Sequence, residues 1–289
     1  MMTIMDQVKI MTLNTWLGGE AVHDGISKLA RAVSFSGADI VGFQETPDPA
    51  AAVAKQLGWY SAQNNEGRGN CSIISKYPIV DSFYLEEVSA VAAHIELPSG
   101  QRVIAVSTHL YYDPYGPYWA LFDGKTAEEI IAMETEVRGS EIGAVLKALE
   151  PLVASDAPLF LMGDFNTPSH LDWTEAARAS HNDYSIEWPV SRMVEEAGFR
   201  DSYRDIHPDP VSMPGNTWST VHTPEHPWGD NPFEPQDRID FIYYHGSTVA
   251  VTASEVVVLG EPLGFGSHEQ NEWPSDHAAV MSIFHIKSL

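Results

Sequence analysis

The chain has 289 residues, of which 44% are hydrophobic, and we expect residues 1–289 to form one large α/β domain. Its 40 acidic and 16 basic residues give a formal net charge of −24, and no run of Lys or Arg offers a local basic patch. Because nucleic-acid binding depends on neutralising phosphates with such patches, this composition disfavours long nucleic acid as a partner.

Hydrophobic periodicity predicts strands and helices in alternation along the chain. The predicted strands cover residues 8–13, 39–44, 71–75, 88–97, 102–110, 158–163, 237–244, 248–259 and 277–286. The predicted helices cover residues 23–36, 49–58, 126–149, 171–180 and 190–197. The third helix begins with a capping box formed by Thr126 and Glu129. This pattern predicts an α/β or α+β fold in which helices cover the sheets.

Two long segments lack this periodicity. Residues 111–125 are crowded with aromatic side chains, and residues 207–236 are rich in Pro, Trp and His. His222 and His226 are spaced like zinc ligands on a helix, but Pro224 lies between them. Because proline disrupts a helix interior, we interpret both histidines as loop residues rather than as a metal site.

The N-terminal segment has neither the basic region nor the continuous apolar core of a signal peptide. No stretch is apolar enough, over enough residues, to cross a bilayer. We therefore expect a cytoplasmic protein without membrane insertion, whose oligomeric state the sequence leaves open. Cys71 is the only cysteine, and we expect it to be a small buried hydrophobic residue rather than a nucleophile.

Six short segments place polar residues at the ends of apolar strands or within them. Rigid scaffolds commonly present active-site groups at strand ends. Each segment alone is explained by a turn or a cap, but six in this order form an oxygen-rich set. The candidate residues are Asn14, Glu45, His109, Asp164, Asn166, Asp240, Asp276 and His277.

Together these segments resemble the endonuclease/exonuclease/phosphatase, or deoxyribonuclease-I-like, superfamily. The resemblance runs from Asn14 to His277 and is strongest in segments 43–45, 163–166 and 275–277. It implies a four-layer α/β/β/α sandwich of two packed, mainly antiparallel sheets flanked by helices. It also implies a hydrolase of phosphoesters whose site lies where strand-end loops of both sheets converge.

The resemblance implies a metal site as well. Asn14, Glu45 and Asp276 are assigned as its ligands. Amide and carboxylate oxygens are hard donors that suit Mg²⁺ or Mn²⁺, so we expect one or two such ions.

Catalytic roles follow from the same resemblance. Asp164 orients or deprotonates the attacking water, and Asn166 binds that water or a phosphoryl oxygen. His277, oriented by Asp240, acts as a general base or, when protonated, as a stabiliser of the transition state. His109 binds a phosphoryl oxygen or assists the leaving group. Which residue is the general base stays open.

Asn70 is a candidate for substrate binding because related enzymes have a polar residue near the equivalent of His109. A simple turn residue explains Asn70 equally well. Arg68, two residues before it, could reach a phosphate or could be fully solvated.

Aromatic residues provide the other candidates for substrate binding, namely Tyr112, Trp119 and Trp218. The segment that begins after His109 could form an aromatic wall for the group esterified to phosphate, completed by Trp218 and Trp228. The same rings could instead pack on one another as a separate small core, and the sequence does not decide between the two.

The leading functional prediction is hydrolysis of a small or non-nucleic phosphodiester. The same metal site would serve a nuclease on DNA or RNA. A phosphomonoesterase needs additional cationic groups for a dianionic phosphate, and this chain has few. An inactive binding protein on the same fold would lack a ligand or the histidine, and here all are present.

Overall fold

Two six-stranded sheets form the centre of the fold in the computed structural model, which describes residues 5–46, 49–63, 70–85 and 88–287. Arg68 lies outside these ranges. The strands are β1 (Met5–Asn14), β2 (Ile40–Gln44), β3 (Tyr60–Gln63), β4 (Ser72–Ser75), β5 (Ile79–Leu85), β6 (Ala90–Glu96), β7 (Arg102–His109), β8 (Leu159–Asp164), β9 (Arg200–Asp201), β10 (Asp240–His245), β11 (Val249–Val257) and β12 (Ala279–Lys287). The helices are α1 (Gly25–Ser36), α2 (Pro49–Leu57), α3 (Gly116–Leu121), α4 (Ala127–Glu134), α5 (Ser140–Ala154), α6 (Pro189–Glu196) and α7 (Ser202–Ile206).

The two sheets share one arrangement of strands. The first has the order β11-β12-β1-β2-β4-β3, and the second has the order β5-β6-β7-β8-β10-β9. Each contains one parallel pair at its centre, β1 with β2 and β7 with β8, and antiparallel pairs elsewhere. Parallel neighbours end at the same edge of a sheet, so polar residues that follow these strands are brought together.

Three apolar layers hold the sandwich together. The inner faces of the sheets pack on each other through residues such as Ile10 and Phe160, and Gly42 approaches Met162 so closely that a Cβ there would clash. Helices α1 and α2 cover the outer face of the first sheet, and α5 and α6 cover that of the second. The four-layer α/β/β/α sandwich with mainly antiparallel sheets is therefore confirmed.

Cys71 lies in the core between the sheets with no exposed surface. Burial raises the pKa of its thiol to about 12, so it is uncharged at neutral pH. The small buried residue expected from the sequence is what the structure contains.

Most predicted elements are present with ends shifted by a few residues. The predicted helix 126–149 is α4 and α5 joined by a π-helical turn at Thr135–Gly139, and its capping box is formed. The helix predicted over 171–180 was wrong, because only Glu175–Ser180 forms a helical segment, of the 3₁₀ type. Strands β3, β5 and β9 were not predicted, since they are short or lie at a sheet edge and bury few side chains.

None of the helices in the described ranges has the length and apolarity that a bilayer crossing requires.

Candidate active site

The predicted site residues meet at one edge of the sandwich. Asn14 ends β1 and Glu45 follows β2, while His109 ends β7 and Asp164 ends β8. The strands β10 and β12 run antiparallel to these neighbours, so Asp240 pairs with Asp164 and His277 lies just before β12. We call the following set the strand-end cluster: Asn14, Glu45, His109, Asp164, Asn166, Asp240, Asp276 and His277.

A buried histidine and two carboxylates lie at the centre of the cluster. His277 Nδ1 donates to Asp240 Oδ2 over 2.9 Å, and His277 Nε2 lies 3.7 Å from Asp164 Oδ2. Burial opposes a charge on the imidazole, yet the two carboxylates raise the pKa of His277 to about 10. The two carboxylates therefore favour the imidazolium form of His277.

Asp164 is held by groups from both sheets. Its Oδ2 accepts from Asn14 Nδ2 over 3.0 Å, and its Oδ1 accepts from the Asn166 amide over 2.9 Å. Burial alone would raise the pKa of Asp164, but the charge on His277 and the contacts with His109 and Asn14 lower it to about 2. Glycine is required just before it, because a Cβ at Gly163 would overlap the Thr108 carbonyl.

His109 is oriented from two sides. Its Nδ1 donates to Asn70 Oδ1 over 3.2 Å, and its Nε2 lies 3.1 Å from Asn166 Nδ2 and 3.4 Å from Asp164 Oδ2. Asn166 Nδ2 also donates to the Leu110 carbonyl, which fixes the orientation of the amide. Asn70 is not among the residues that line the cavity, and its Oδ1 bonds His109 and Ser89, so the structure places it behind His109 and its role in substrate binding stays a prediction.

The donors assigned to the metal fit a divalent cation by their chemistry. Glu45 and Asp276 both line the cavity beside Asp164. Burial raises the pKa of Asp276 to about 7, and the charges of Glu45 and Asp164 act in the same direction. Asn14 Oδ1 accepts from the Trp16 amide, so Asn14 contributes mainly as a donor to Glu45 and Asp164. Clustered hard oxygens with uncompensated charge suit Mg²⁺ or Mn²⁺.

Asp164, Asp240 and His277 also present ligand atoms within 4.8 Å of one another, which is the one such group in the described ranges. His277 Nδ1 is already hydrogen-bonded to Asp240, so we interpret this group as a histidine held between two carboxylates. His222 and His226 do not belong to it. His222 is buried against Trp218 and Trp228, and burial lowers its pKa to about 4.

The backbone beside the cluster is held in an uncommon conformation. Trp16, Leu17, Glu45 and Asn166 have φ between 48° and 58° and all line the cavity. Left-handed backbone is unfavourable for residues with a Cβ and persists only where other contacts enforce it. One such contact is the bond from the Leu17 amide to Glu45 Oε2, at 2.8 Å. The site is therefore rigidly shaped by its surroundings.

A cavity of about 290 Å³ opens over the cluster, and aromatic rings form its other side. We call these rings the aromatic wall: Tyr112, Tyr115, Tyr118, Trp218 and Trp228. They come from both segments that lacked periodicity, and α3 lies within the first of them.

Trp119 is not part of the wall, which corrects its assignment to substrate binding. Its ring packs beside Ile130 and Trp188 in a separate apolar cluster, with Lys125 over its face. The separate small core and the aromatic wall therefore coexist in one segment, because Tyr115 and Tyr118, three residues apart, line the cavity while Trp119 lies on another face of α3.

Two buried carboxylates lie behind the wall. Glu234 Oε1 accepts from Tyr118 Oη and from Trp218 Nε1, each over 2.7 Å. Asp237 accepts from Tyr115 Oη over 3.3 Å and from Trp173 Nε1 over 2.8 Å. Burial raises the pKa of Asp237 to about 7. Both carboxylates fix the rings that line the cavity.

Buried arginines anchor the two segments to the body of the fold. Arg138 pairs with Glu134 and donates to the carbonyls of Tyr112 and Pro114. Arg204 pairs with Asp172 and donates to three carbonyls within residues 207–214. The wall is therefore preorganised by charged groups that never face the cavity.

Sequence reasoning missed several of these residues. Ser275 belongs to a segment that was singled out, and it bonds both the Asn14 carbonyl and the His277 amide. Its place directly before Asp276 and His277 was a usable signal. Glu234, Asp237 and Arg138 had none, because a charged residue outside a recognised motif is most often solvated surface.

Known proteins resemble this chain along most of its length. The model of the Endonuclease/Exonuclease/phosphatase family matches residues 11–277. Uncharacterized protein F14F9.5 of Caenorhabditis elegans is 35% identical over 287 residues, covering 95% of this chain and 90% of that protein.

Solved structures share the fold at lower identity. The human Nocturnin catalytic domain with bound sulfate is 16% identical, with a TM-score of 0.60 over 99% of this chain and 98% of that one. D. rerio TDP2 complexed with a single-strand DNA product is 15% identical, with a TM-score of 0.62 over 96% and 99% of the two chains. The chain belongs to the endonuclease/exonuclease/phosphatase family of metal-dependent phosphoester hydrolases.

Proposed function

We propose that the chain is a Mg²⁺- or Mn²⁺-dependent phosphodiesterase that acts on a small or non-nucleic phosphodiester. The main support is the cavity, which is walled by aromatic rings and has no Lys or Arg among its lining residues in the described ranges. A long polyanion requires several such cations. A phosphomonoester also binds poorly to a site without such cations, because its phosphate is a dianion. A diester carries only one negative charge at the phosphate.

In this proposal each residue of the cluster has a defined task. Asp164 orients the attacking water, since a carboxylate with a pKa near 2 is a weak base. The imidazolium of His277 neutralises charge that develops on the phosphoryl oxygens, and Asp240 keeps it oriented. His109 and Asn166 bind a second oxygen or the leaving group.

Glu45 and Asp276, with Asn14 beside them, would hold the divalent cation, which supplies positive charge to a non-bridging oxygen of the phosphate. We also retain residues 1–289 as a single domain, because the cluster draws on both sheets.

A nuclease is the second candidate function. D. rerio TDP2 is a structural neighbour and was solved with a single-strand DNA product. The aromatic wall could stack on a nucleobase as well as on another group. The net charge of −24 and the acidic lining of the cavity weigh against a long strand.

The test is a substrate panel with and without metal. We expect EDTA to abolish hydrolysis of bis-p-nitrophenyl phosphate, and Mg²⁺ or Mn²⁺ to restore it. Glycerophosphodiesters should be hydrolysed with higher kcat/KM than p-nitrophenyl phosphate or a single-stranded oligonucleotide. Full activity after exhaustive chelation would contradict the metal assignment, and a preferred, salt-sensitive reaction on the oligonucleotide would contradict the small substrate.

A further inference from the structure

Each of three rings in the aromatic wall gives its polar hydrogen to a buried carboxylate. Tyr118 and Trp218 donate to Glu234, and Tyr115 donates to Asp237. The side chains of Glu234 and Asp237 are almost inaccessible to solvent, at 1% and 3% exposure of the whole residue. A donor hydrogen bonded to a carboxylate shifts electron density toward the ring, so the ring faces that line the cavity become more negative.

These two carboxylates differ from the buried acids that are paired with arginine. Glu134 is paired with Arg138, and Asp172 is paired with Arg204 and Arg238. Within the described ranges, neither Glu234 nor Asp237 forms an ion pair with a basic side chain. A charge on Glu234 is unfavourable in this buried position unless it is compensated, so a positively charged occupant of the cavity would stabilise it. Asp237 contributes less, because burial raises its pKa to about 7.

Other features of the wall act in the same direction. Asp113 lines the cavity beside Tyr112, and the described lining contains no Lys or Arg. Burial and the neighbouring Glu234 raise the pKa of Tyr118 well above its ordinary range. Burial disfavours a charge of either sign, so only the part of this shift that comes from Glu234 favours a positive charge in front of the ring.

The polar atoms of the wall decide which kind of cation fits. Tyr118 Oη and Trp218 Nε1 point away to Glu234, and an indole nitrogen accepts no hydrogen bond. A primary ammonium has three donors to satisfy, whereas a quaternary ammonium has none. Aromatic faces with a carboxylate behind them are a suitable environment for the latter.

We propose that the aromatic wall binds a quaternary ammonium group, which in the substrate belongs to the choline-like alcohol esterified to the phosphate. The inference rests on the proposed phosphodiesterase function. The phosphate faces the strand-end cluster and the ammonium faces Tyr118 within the same cavity, while Trp218 lies beside His277 with 4.9 Å between ring centroids.

Two substrates of equal shape test the proposal. They are p-nitrophenylphosphocholine and p-nitrophenyl 3,3-dimethylbutyl phosphate, in which an uncharged carbon replaces the ammonium nitrogen. We expect kcat/KM to be at least about tenfold higher for the choline ester, the scale of a desolvated cation–π contact. Calorimetric titration with choline and with 3,3-dimethylbutanol measures the same preference without turnover.

Glu234→Gln keeps a hydrogen-bond acceptor but removes the charge, so it should reduce the ratio between the two esters to about threefold or less. Glu225→Gln is the matched control, since Glu225 is an exposed acid of the same segment that does not line the cavity. The control should leave the ratio unchanged. If Glu234→Gln does not fold, the two substrates tested on the unaltered chain still show whether the cavity prefers the ammonium group.

The outcomes separate this inference from the proposed function. Equal kcat/KM for both esters, or a preference for thymidine 5′-p-nitrophenyl phosphate over both, overturns the ammonium site while the phosphodiesterase stands. Failure to hydrolyse any diester overturns the function. In that case tighter binding of choline than of 3,3-dimethylbutanol still supports the site, and equal binding overturns it.

Discussion

The two sides of the cavity are built by different means. The strand-end cluster is placed by the sheets, because parallel strands such as β1 and β2 end at one edge. The aromatic wall lies in two irregular segments. Buried charged groups hold these segments in place, namely Arg138, Arg204 and Glu234. In the proposed function, chemistry therefore depends on the fold, whereas selection of the substrate depends on side chains that can change while the sheets stay intact.

The strongest way to separate the two sides is to remove catalytic groups alone. We expect His277→Ala and Asp164→Asn each to lower kcat by about 10²–10⁴-fold, because charge neutralisation and water orientation are lost. KM should change much less, since the wall is untouched. Steady-state kinetics on bis-p-nitrophenyl phosphate measures this, and near-normal kcat in either variant would remove these residues from the mechanism.

The second prediction concerns Arg138, which anchors the segment of the aromatic wall that contains Tyr112. Arg138→Met leaves Glu134 buried without its partner, which should lower the free energy of unfolding by about 3–5 kcal/mol. Urea denaturation followed by fluorescence measures it. Arg178→Met is the control, since its pair with Glu175 is solvent-exposed and should matter little. Similar losses in both variants would show that burial is not the cause.

The acid behind the wall makes stability depend on pH. Asp237 keeps its proton up to a pKa of about 7 in the folded chain, whereas an unfolded Asp loses it near pH 4. The folded state then binds more protons between these values, so the free energy of unfolding falls as pH rises. Relative to the parent chain, the free energy of unfolding of Asp237→Asn should rise by up to about 4 kcal/mol between pH 4 and 8, which is about 1.4 kcal/mol for each pH unit between the two pKa values. Parallel stability curves would contradict this shift.

The smallest effect distinguishes two neighbours in one segment. Tyr112 is 65% exposed and lines the cavity, so Tyr112→Ala should raise KM for p-nitrophenylphosphocholine roughly threefold to tenfold without lowering Tm. Trp119→Ala should instead lower the free energy of unfolding by about 1–2 kcal/mol and leave KM unchanged. The opposite assignment of effects would mean that Trp119, not Tyr112, faces the substrate.

Local patterns made one side of the cavity predictable. Asn14, Glu45 and Asp164 follow apolar strands directly, so their meeting place follows from strand direction. The aromatic wall was half predicted, because the segment could be found but not the side to which each ring points. Tyr112 lines the cavity and Trp119 does not, because Trp119 lies on α3 and packs on a distant apolar cluster. The partners of Glu234 and Arg138 depend on contacts between remote segments, which no local pattern records.

The pairing of β1 with β12 has a consequence for synthesis. Ser275 bonds the carbonyl of Asn14, and His277 reaches Asp164 only once β12 has joined the edge of β1. A nascent chain that has produced both helices of the first layer and the whole second sheet still has no imidazolium in place. The cluster should therefore be completed only when β12 docks on β1, late in folding.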